Sequence, residues 1–221
     1  MKLPIDIPTL LTAAIDIDKA CSIAVSANIL IDETASPEFQ VFVRSGFNSE
    51  SANSRVMVSY FPTQKPDAEV ESDIVVIAAG SNPEVGSIAA QFRKKGMPVL
   101  VVAEDAAAVC AAAHDSGNPI PEQDLVSLEA GQSLTEELRG SLADRIGTWI
   151  VRADAEKRLA FSIAYPFVRR PLAYESIRAT ALQNAGVGVV VFVPGADMPI
   201  MTANQAKMVL QIAAAYGHPL G

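Results

Sequence analysis

The sequence is poor in the residues that build metal centres and disulfide frameworks. Its 221 residues include two cysteines, Cys21 and Cys110, and two histidines, His114 and His218. Scattered in this way, the four side chains cannot form a zinc finger, and two cysteines do not make a disulfide scaffold. Residues 1–7 lack the uninterrupted apolar stretch of a signal peptide. We therefore expect a cytoplasmic, reducing environment and no cofactor.

Basic residues and long apolar runs are also scarce. With 17 basic and 25 acidic side chains the net charge is −8, which argues against a nucleic-acid partner because a phosphate backbone attracts positive charge. The nearest approach to a membrane span is 185–196, which falls short of the ~18 apolar residues that a span needs. Half of the residues are nevertheless apolar, so a sizeable folded core is expected.

Charge is divided unevenly along the chain. Residues 1–150 carry 10 basic and 21 acidic side chains, whereas residues 151–221 carry 7 basic and 4 acidic ones. A segment that is both basic and apolar is typical of helices that meet an anionic membrane face or an acidic partner, although the same residues also form ordinary solvated helix faces. The candidate contacts with an anionic surface are Arg158, Arg169, Arg170 and Lys207.

Apolar runs rich in β-branched residues alternate with helical patterns in the first 131 residues. Ser36 and Pro37 mark one helix start, and Gly96 and Gly117 follow two further helices as C-terminal caps. Runs without polar alternation indicate strands buried on both faces. They predict an α/β fold with a doubly wound, mostly parallel five-stranded sheet in the order 2-1-3-4-5. The expected strands are 21–31, 55–61, 73–78, 98–103 and 124–128, and the two further helices are 83–95 and 105–116.

The pattern becomes purely helical after Gly131. The segment 133–136 (SLTE) fits a capping box in which Ser133 is the N-cap of a long helix. That helix is expected to run toward Tyr165, with interruptions at Pro166 and Pro171. A second capping box at 202–205 (TANQ) predicts the start of the last helix, which is expected to end at 216–217.

These patterns divide the chain into three predicted segments: a helical lead-in at 1–20, the α/β domain at 21–131, and an apolar α-helical hairpin or bundle at 132–221. The hairpin is expected to turn at 194–197 (PGAD). Its apolar surface is also a candidate contact for a homo-oligomer. Polar residues that are expected to cap it or to form a buried network within it are Gln183, Asn184, Asp197, Asn204 and Gln205.

Acidic residues follow the predicted strands at their carboxyl ends, where doubly wound sheets bind their ligands. Asp32, Glu33, Glu104 and Asp105 could converge there beside Gly80. Carboxylates clustered in this way could bind Mg²⁺ or Ca²⁺, or serve a small-ligand site. Alternatively, acids in these positions stabilise helix N-termini and need no metal.

Other motifs of catalysis are incomplete. The loop from Gly80 to Gly86 has the order of a phosphate loop, but five residues separate the glycines, no lysine follows, and Glu84 would repel a phosphate. No Gly-x-Ser-x-Gly elbow of a serine hydrolase occurs. Cys110 and His114, four residues apart, are interpreted as a core thiol and a surface imidazole.

Two stretches of the α/β segment resemble translation-factor-class GTPase domains. These are 72–106 (SDIVVIAAGSNPEVGSIAAQFRKKGMPVLVVAEDA) and 126–146 (VSLEAGQSLTEELRGSLADRI). The resemblance covers the scaffold without its ligands, because 103–106 (AEDA) occupies the guanine-reading positions and neither the phosphate loop nor the Asp-x-x-Gly switch is present. It implies a degenerate GTPase-like domain that does not hydrolyse GTP, since a triphosphate needs an amide cradle, a lysine and a hydroxyl on Mg²⁺.

The C-terminal part is similar to the family called domain of unknown function 697. In that family the domain often follows a GTPase domain, and its members include bacterial inner-membrane-associated proteins. A further Gly-rich apolar hairpin usually follows in the relatives, so the resemblance implies a truncated form. The residues that carry the similarity are 169–171 (RRP), 181–186 (ALQNAG), 194–199 (PGADMP), 202–208 (TANQAKM) and 212–217 (IAAAYG).

Together these observations predict a non-catalytic binding or regulatory protein. Its α/β part is expected to be a GTPase-like domain without nucleotide chemistry, and its helical part to dock onto a protein partner or, peripherally, onto the inner face of a membrane. The alternative is a small-ligand or divalent-metal sensor, or an enzyme, that uses the acidic edge of the sheet.

Overall fold

The described residues fold around a five-stranded parallel sheet. The computed structural model describes residues 7–49, 51–129, 131–190 and 198–220. The strand order β2-β1-β3-β4-β5 and the α/β class are those predicted from the sequence. The strands are β1 (Val25–Asp32), β2 (Ser54–Phe61), β3 (Ile74–Ala79), β4 (Val99–Ala103) and β5 (Leu125–Ser127), and each neighbouring pair is parallel.

The central strands lack polar side chains because both of their faces are covered. β3 reads IVVIAA and β4 reads VLVVA, and every residue of both is buried. A parallel sheet with helices on both faces removes the polar alternation of a half-exposed strand. β2, at the edge, keeps partly exposed positions such as Val58. β1 departs from this rule at Ser26, at the buried Asn28 and at its last residue, Asp32, which is fully buried and belongs to the candidate site described below.

Helices cover the sheet and extend beyond it on one side. In the first 131 residues they connect the strands, and after that they follow one another. They are α1 (Ile7–Cys21), α2 (Pro37–Gly46), α3 (Val85–Lys94), α4 (Ala106–Asp115), α5 (Glu136–Ala153), α6 (Arg158–Ala164), α7 (Arg169–Val190) and α8 (Met198–Ala215). Short 3₁₀ turns at Glu122–Asp124 and Pro166–Val168 precede β5 and α7.

Two apolar cores lie on opposite faces of the sheet. Neighbouring residues of a strand divide between them, so that Leu100 belongs to one core and Val101 to the other. The smaller core contains Phe92 and lies under α3 and α4. The larger core joins the sheet to α2, α5 and α6 and contains Ile150 and Phe161. The helices after Gly131 therefore complete a core that begins in the α/β segment.

Helices α1, α7 and α8 form an outer layer, which we call the helical layer. α8 packs against α1 on one side and against α7 on the other, and α6 contacts all three. The predicted N-terminal helix is α1. The hairpin turn predicted at 194–197 lies outside the described residues, as does Asp197 of the predicted polar network.

Two helix starts differ from the prediction. The N-cap of α5 is Thr135 rather than Ser133, and its hydroxyl accepts from the Leu138 amide at 3.3 Å. α8 begins at Met198, and Thr202 lies inside it, where its hydroxyl donates to the Met198 carbonyl at 2.7 Å. A hydroxyl inside a helix can donate a hydrogen bond to a carbonyl of the preceding turn. The capping-box pattern therefore does not by itself fix where a helix begins.

The helix breaks also differ from the prediction. Pro171 is the third residue of α7, in the first turn, where a missing N–H costs no intrahelical hydrogen bond. The long helix ends earlier, at Ala153, and the Asp154 carboxylate then accepts from the Lys157 amide at 3.0 Å. Pro166 interrupts the chain as expected, by opening a 3₁₀ turn.

Tyr165 packs between the sheet and the helices that follow it. Its ring is fully buried, makes an edge contact with Phe47 at 5.1 Å, and its hydroxyl lies 3.0 Å from the Ser54 hydroxyl of β2. Burial raises the pKa of Tyr165 above its ordinary value of 10.0; the hydrogen bond with Ser54 partly offsets this, and the nearby Asp73 carboxylate adds to it.

Alkaline pH is therefore expected to destabilise the fold through Tyr165. Above a pH of about 10 the unfolded state loses the phenol proton while the native state keeps it, so the free energy of unfolding falls as pH rises. The Tyr165→Phe variant should lose about 1 kcal/mol at pH 7, for one hydrogen bond, and should decline less steeply than the parent above pH 10. Urea denaturation between pH 8 and 11 measures both. Parallel curves for the two proteins would contradict the role of this phenol.

Candidate functional site

At the carboxyl end of β1, the buried Asp32 carboxylate accepts four hydrogen bonds. Its Oδ1 accepts from the Thr34 amide at 2.9 Å and from the Thr34 hydroxyl at 2.8 Å. Its Oδ2 accepts from the amides of Gly80 at 2.8 Å and Asn82 at 3.1 Å. Amides that converge on one anion are the arrangement with which loops and helix N-termini bind phosphate. Here the anion is the chain's own carboxylate.

The other acids of this edge also accept from backbone amides. Glu33 Oε2 accepts from the Thr63 amide at 3.0 Å. The Glu104 carboxylate accepts from the Ser36 amide at 2.8 Å and from the Ser36 hydroxyl. Asp105 caps α4 by accepting from the Ala108 amide at 3.1 Å. Each predicted edge carboxylate is thus bonded to a loop or a helix start.

The crevice beside these acids is closed by backbone. A Cβ atom built on Gly80 would lie 2.6 Å from the Thr34 carbonyl carbon and closer still to the Ala35 amide nitrogen. The chain that leaves β1 therefore runs directly against the chain that leaves β3. This is the switch point between strands 1 and 3, where doubly wound folds keep an open crevice for a ligand.

The loop after β3 is explained by packing. Asn82 Oδ1 accepts from the Glu84 amide at 2.9 Å in a local turn, and α3 begins at Val85, two residues later than predicted. A Cβ on Gly86 would lie 2.6 Å from the Cβ of Ala113 in α4. The second glycine of the apparent phosphate loop therefore permits close contact between two helices.

A shared metal site is not formed by the described residues: no three His, Cys, Asp or Glu side chains among them lie where they could hold one ion. Cys110 is half-buried and His114 is exposed, with its Nδ1 3.8 Å from the Asp115 carboxylate. The acids of the sheet edge are separated by the loops whose amides they bind.

Two of the four predicted cationic contacts have structural partners. Arg169 Nε donates to the Ser162 carbonyl at 3.2 Å, which ties α7 to α6. Arg170 lies over the Tyr174 ring at 5.6 Å and 3.3 Å from the Asp144 carboxylate of α5. Contact with Tyr174 and attraction to Asp144 raise the pKa of Arg170, so it stays charged at any physiological pH.

The other two cations, Arg158 and Lys207, line a cavity of about 760 Å³ between α7 and α8, which we call the cleft. Among the described residues, neither side chain makes an ion pair or a hydrogen bond. The cleft is lined by cationic, amide, hydroxyl and apolar side chains and by no acidic one: Arg158, Ser176, Ala179, Thr180, Gln183, Gly186, Val187, Ile200, Asn204, Lys207, Met208 and Gln211.

Two hydroxyl-bearing residues of α7 lie at the wall of the cleft. Ser176 is 4% exposed and Thr180, one turn later, is 9% exposed. Neither hydroxyl has a hydrogen-bond partner among the described residues. One turn further, Asn184 accepts from the Asn204 side-chain amide of α8 at 2.9 Å, as the predicted polar network requires for this pair. The inner face of α7 is therefore polar.

Several large apolar side chains of the helical layer are exposed. On α7, Tyr174, Ile177 and Leu182 are exposed, and Leu182 is 66% exposed. On α1 the exposed apolar residues recur every four positions and so form one stripe. We call this surface the apolar face; its residues are Ile7, Leu11, Ile15, Tyr174, Ile177, Leu182, Met198, Ile200, Val209 and Tyr216.

The sequence analysis missed the contribution of α1 and the two hydroxyls. The signal for the hydroxyls was a helical period of polar and small residues at 176, 180, 183 and 187, which places them on one side of α7. For α1 the signal was the four-residue spacing of Ile7, Leu11 and Ile15. This row of residues lies beside a second apolar row that ends at Ile17.

No helix in the described part of the chain is long and apolar enough to span a membrane. The carboxylate edge and the helical layer are the two regions from which a function is argued below. The similarity to domain of unknown function 697 and to GTPase domains remains a prediction. Comparison of the sequence with protein-family models and with curated proteins finds no match.

Proposed function

We propose that this protein is a non-catalytic binding protein that docks peripherally onto an anionic lipid surface through the apolar face of its helical layer. The observation that carries the proposal is the reversed polarity of α7, which buries Ser176 and Thr180 and exposes Tyr174 and Leu182. Monomeric proteins rarely expose large contiguous apolar patches, and those that do use them for contacts.

The charge of α7 and α8 favours an anionic lipid surface as the binding partner of the apolar face. Helices α7 and α8 contain Arg169, Arg170, Arg178 and Lys207 but only Glu175 as an acid, within a chain whose net charge is −8. Helices that combine an apolar face with cations lie in the boundary between anionic headgroups and acyl chains. Each cation near such a surface contributes about 1 kcal/mol.

The sheet edge supports the non-catalytic part of the proposal. The amides that could cradle a phosphate are bonded to Asp32, and the crevice beside Gly80 is occupied by backbone. A bound triphosphate would bring several negative charges to an edge that already carries four carboxylates. On this proposal the α/β part is a scaffold for the helical layer.

Flotation with lipid vesicles tests the docking. We expect the chain to float with vesicles that contain phosphatidylglycerol and not with phosphatidylcholine alone. Replacing Leu11, Leu182 and Val209 together by Gln should lower the bound fraction at least tenfold, because each apolar side chain loses its burial in the interface. The matched control is Val41→Gln on α2, which is 63% exposed but lies outside the helical layer, and it should bind normally.

Two other results would replace the proposal. If the chain fails to float but sediments as a dimer that the triple substitution dissociates, the apolar face joins two copies of the chain. If Mg²⁺ and GTP raise the melting temperature by several degrees, a ligand binds the sheet edge and the scaffold role is wrong. We expect no change in melting temperature with this nucleotide.

A further inference from the structure

The cleft between α7 and α8 has features that docking of the apolar face does not require. Ser176 and Thr180 line its wall; both residues are largely buried, but their hydroxyl oxygens keep some accessible surface and have no hydrogen-bond partner among the described residues. Hydroxyls that stand open at the wall of a cavity can bond to a ligand that enters it, as the few polar groups of small-molecule pockets do. Ser176 and Thr180 lie one helical turn apart on the same side of α7.

Positive charge enters the same cleft from two other elements. Arg158 reaches it from the start of α6 and Lys207 from the middle of α8, and no acidic side chain lines it. A cavity lined by cations and by no acid attracts an anion. The hydroxyl donors and the two cations thus converge on one cavity from three helices.

We propose that the cleft binds a phosphate ester that carries free hydroxyl groups, of which glycerol 3-phosphate is the simplest. A phosphate ester presents its acceptor oxygens tetrahedrally, which suits donors that approach from different helices, such as Arg158, Lys207 and the hydroxyl of Thr180 or Ser176, better than a planar carboxylate does. The amides of Gln183 and Gln211 can donate to and accept from the ligand's hydroxyls.

Size and apolar lining agree with this ligand class. A cavity of about 760 Å³ lies within the range of small-molecule sites. Ile200 and Met208 give the cleft an apolar side against which a carbon skeleton can pack. Phosphoglycerol occurs both as a free metabolite and as the headgroup of anionic lipids, so the same recognition could serve either source.

Titration calorimetry with free glycerol 3-phosphate tests the site, with glycerol and acetate as comparison ligands. We expect binding of the phosphate ester alone. Ser176→Ala with Thr180→Val should weaken it at least tenfold, since hydrogen bonds to a charged group are lost. Arg158→Gln with Lys207→Gln should weaken it further. The matched control is Arg178→Gln, on the same helix but lining a different cavity, and it should bind normally.

The stability of the unliganded variants separates a ligand role from a structural one. Removing two hydroxyls that make no hydrogen bond among the described residues should leave the melting temperature of the Ser176→Ala, Thr180→Val protein unchanged or higher, because no native hydrogen bond is lost. A fall of several degrees would mean that the hydroxyls support the fold, and the inference would then be wrong.

A second binding experiment distinguishes the two sources of the phosphate ester. If the hydroxyl variant loses free glycerol 3-phosphate, the ligand is a soluble ester; if it loses only its binding to phosphatidylglycerol vesicles, the ligand is the headgroup. Both results support the chemistry of the cleft. If neither binding changes, the inference fails, whereas the proposed docking fails only when the apolar-face variant also floats normally.

Discussion

Replacing Asp32 by Ala is expected to lower the free energy of unfolding by about 3–5 kcal/mol. The substitution removes a fully buried carboxylate and leaves the amides of Thr34, Gly80 and Asn82 without an acceptor. Each unpaired buried amide costs about 1–3 kcal/mol, and hydrogen bonds to a charged acceptor are stronger than neutral ones. The loops after β1 and β3 would also lose the group that joins them.

Urea denaturation followed by circular dichroism measures this loss. The control is Asp105→Ala, which removes a single cap bond to Ala108 on the exposed side of the same edge and should cost about 1 kcal/mol. The comparison also addresses the alternative function. A carboxylate that serves to bind a metal or a substrate commonly lowers the stability of the fold, so its removal commonly stabilises the protein. A stabilised Asp32→Ala protein would therefore restore the ligand-site interpretation.

Replacing Gly80 by Ala is expected to destabilise the protein by more than about 3 kcal/mol or to prevent folding, since overpacking of a rigid site already costs about 1–3 kcal/mol. The new Cβ would meet the backbone of Thr34 and Ala35 rather than the end of a flexible side chain. Neither chain can withdraw without breaking the hydrogen bonds that both make to Asp32.

The matched control for this substitution is Gly140→Ala. Gly140 lies in α5 and nothing lies within 4 Å of its Cβ position, so alanine there should stabilise the helix by up to about 1 kcal/mol. The two substitutions are chemically identical and should have opposite signs. Soluble yield and the urea midpoint measure both. Equal stability of the two variants would show that the crevice beside Gly80 is open.

The sheet was predictable because its signal is local. Runs such as IVVIAA and VLVVA can be buried only between two helical faces, and the number of such runs leaves few strand orders. Helix ends were less predictable. Ser133 and Thr202 fit the capping pattern as well as Thr135 does, and only the path of the preceding chain decides which hydroxyl meets a free amide.

The candidate site was predicted in part. The positions of Asp32 and Glu104 at the carboxyl edge follow from the strand order, but their hydrogen bonds depend on how close the loops approach, which a single sequence does not encode. The four cations looked equivalent in the sequence. Arg169 and Arg170 differ from Arg158 and Lys207 because the Ser162 carbonyl of α6 and the Asp144 carboxylate of α5 lie beside the start of α7, whereas no acidic side chain lines the cleft.

The contact between α1 and α8 has a consequence for folding during synthesis. Ile17 and Ala215 belong to one core although about 200 residues of chain separate them. A ribosome that adds about 5–20 residues per second needs some 10–40 seconds to produce the second after the first. Throughout that interval the nascent α1 has no α8 to cover it, so we expect a general chaperone to hold the growing chain until the last helix emerges.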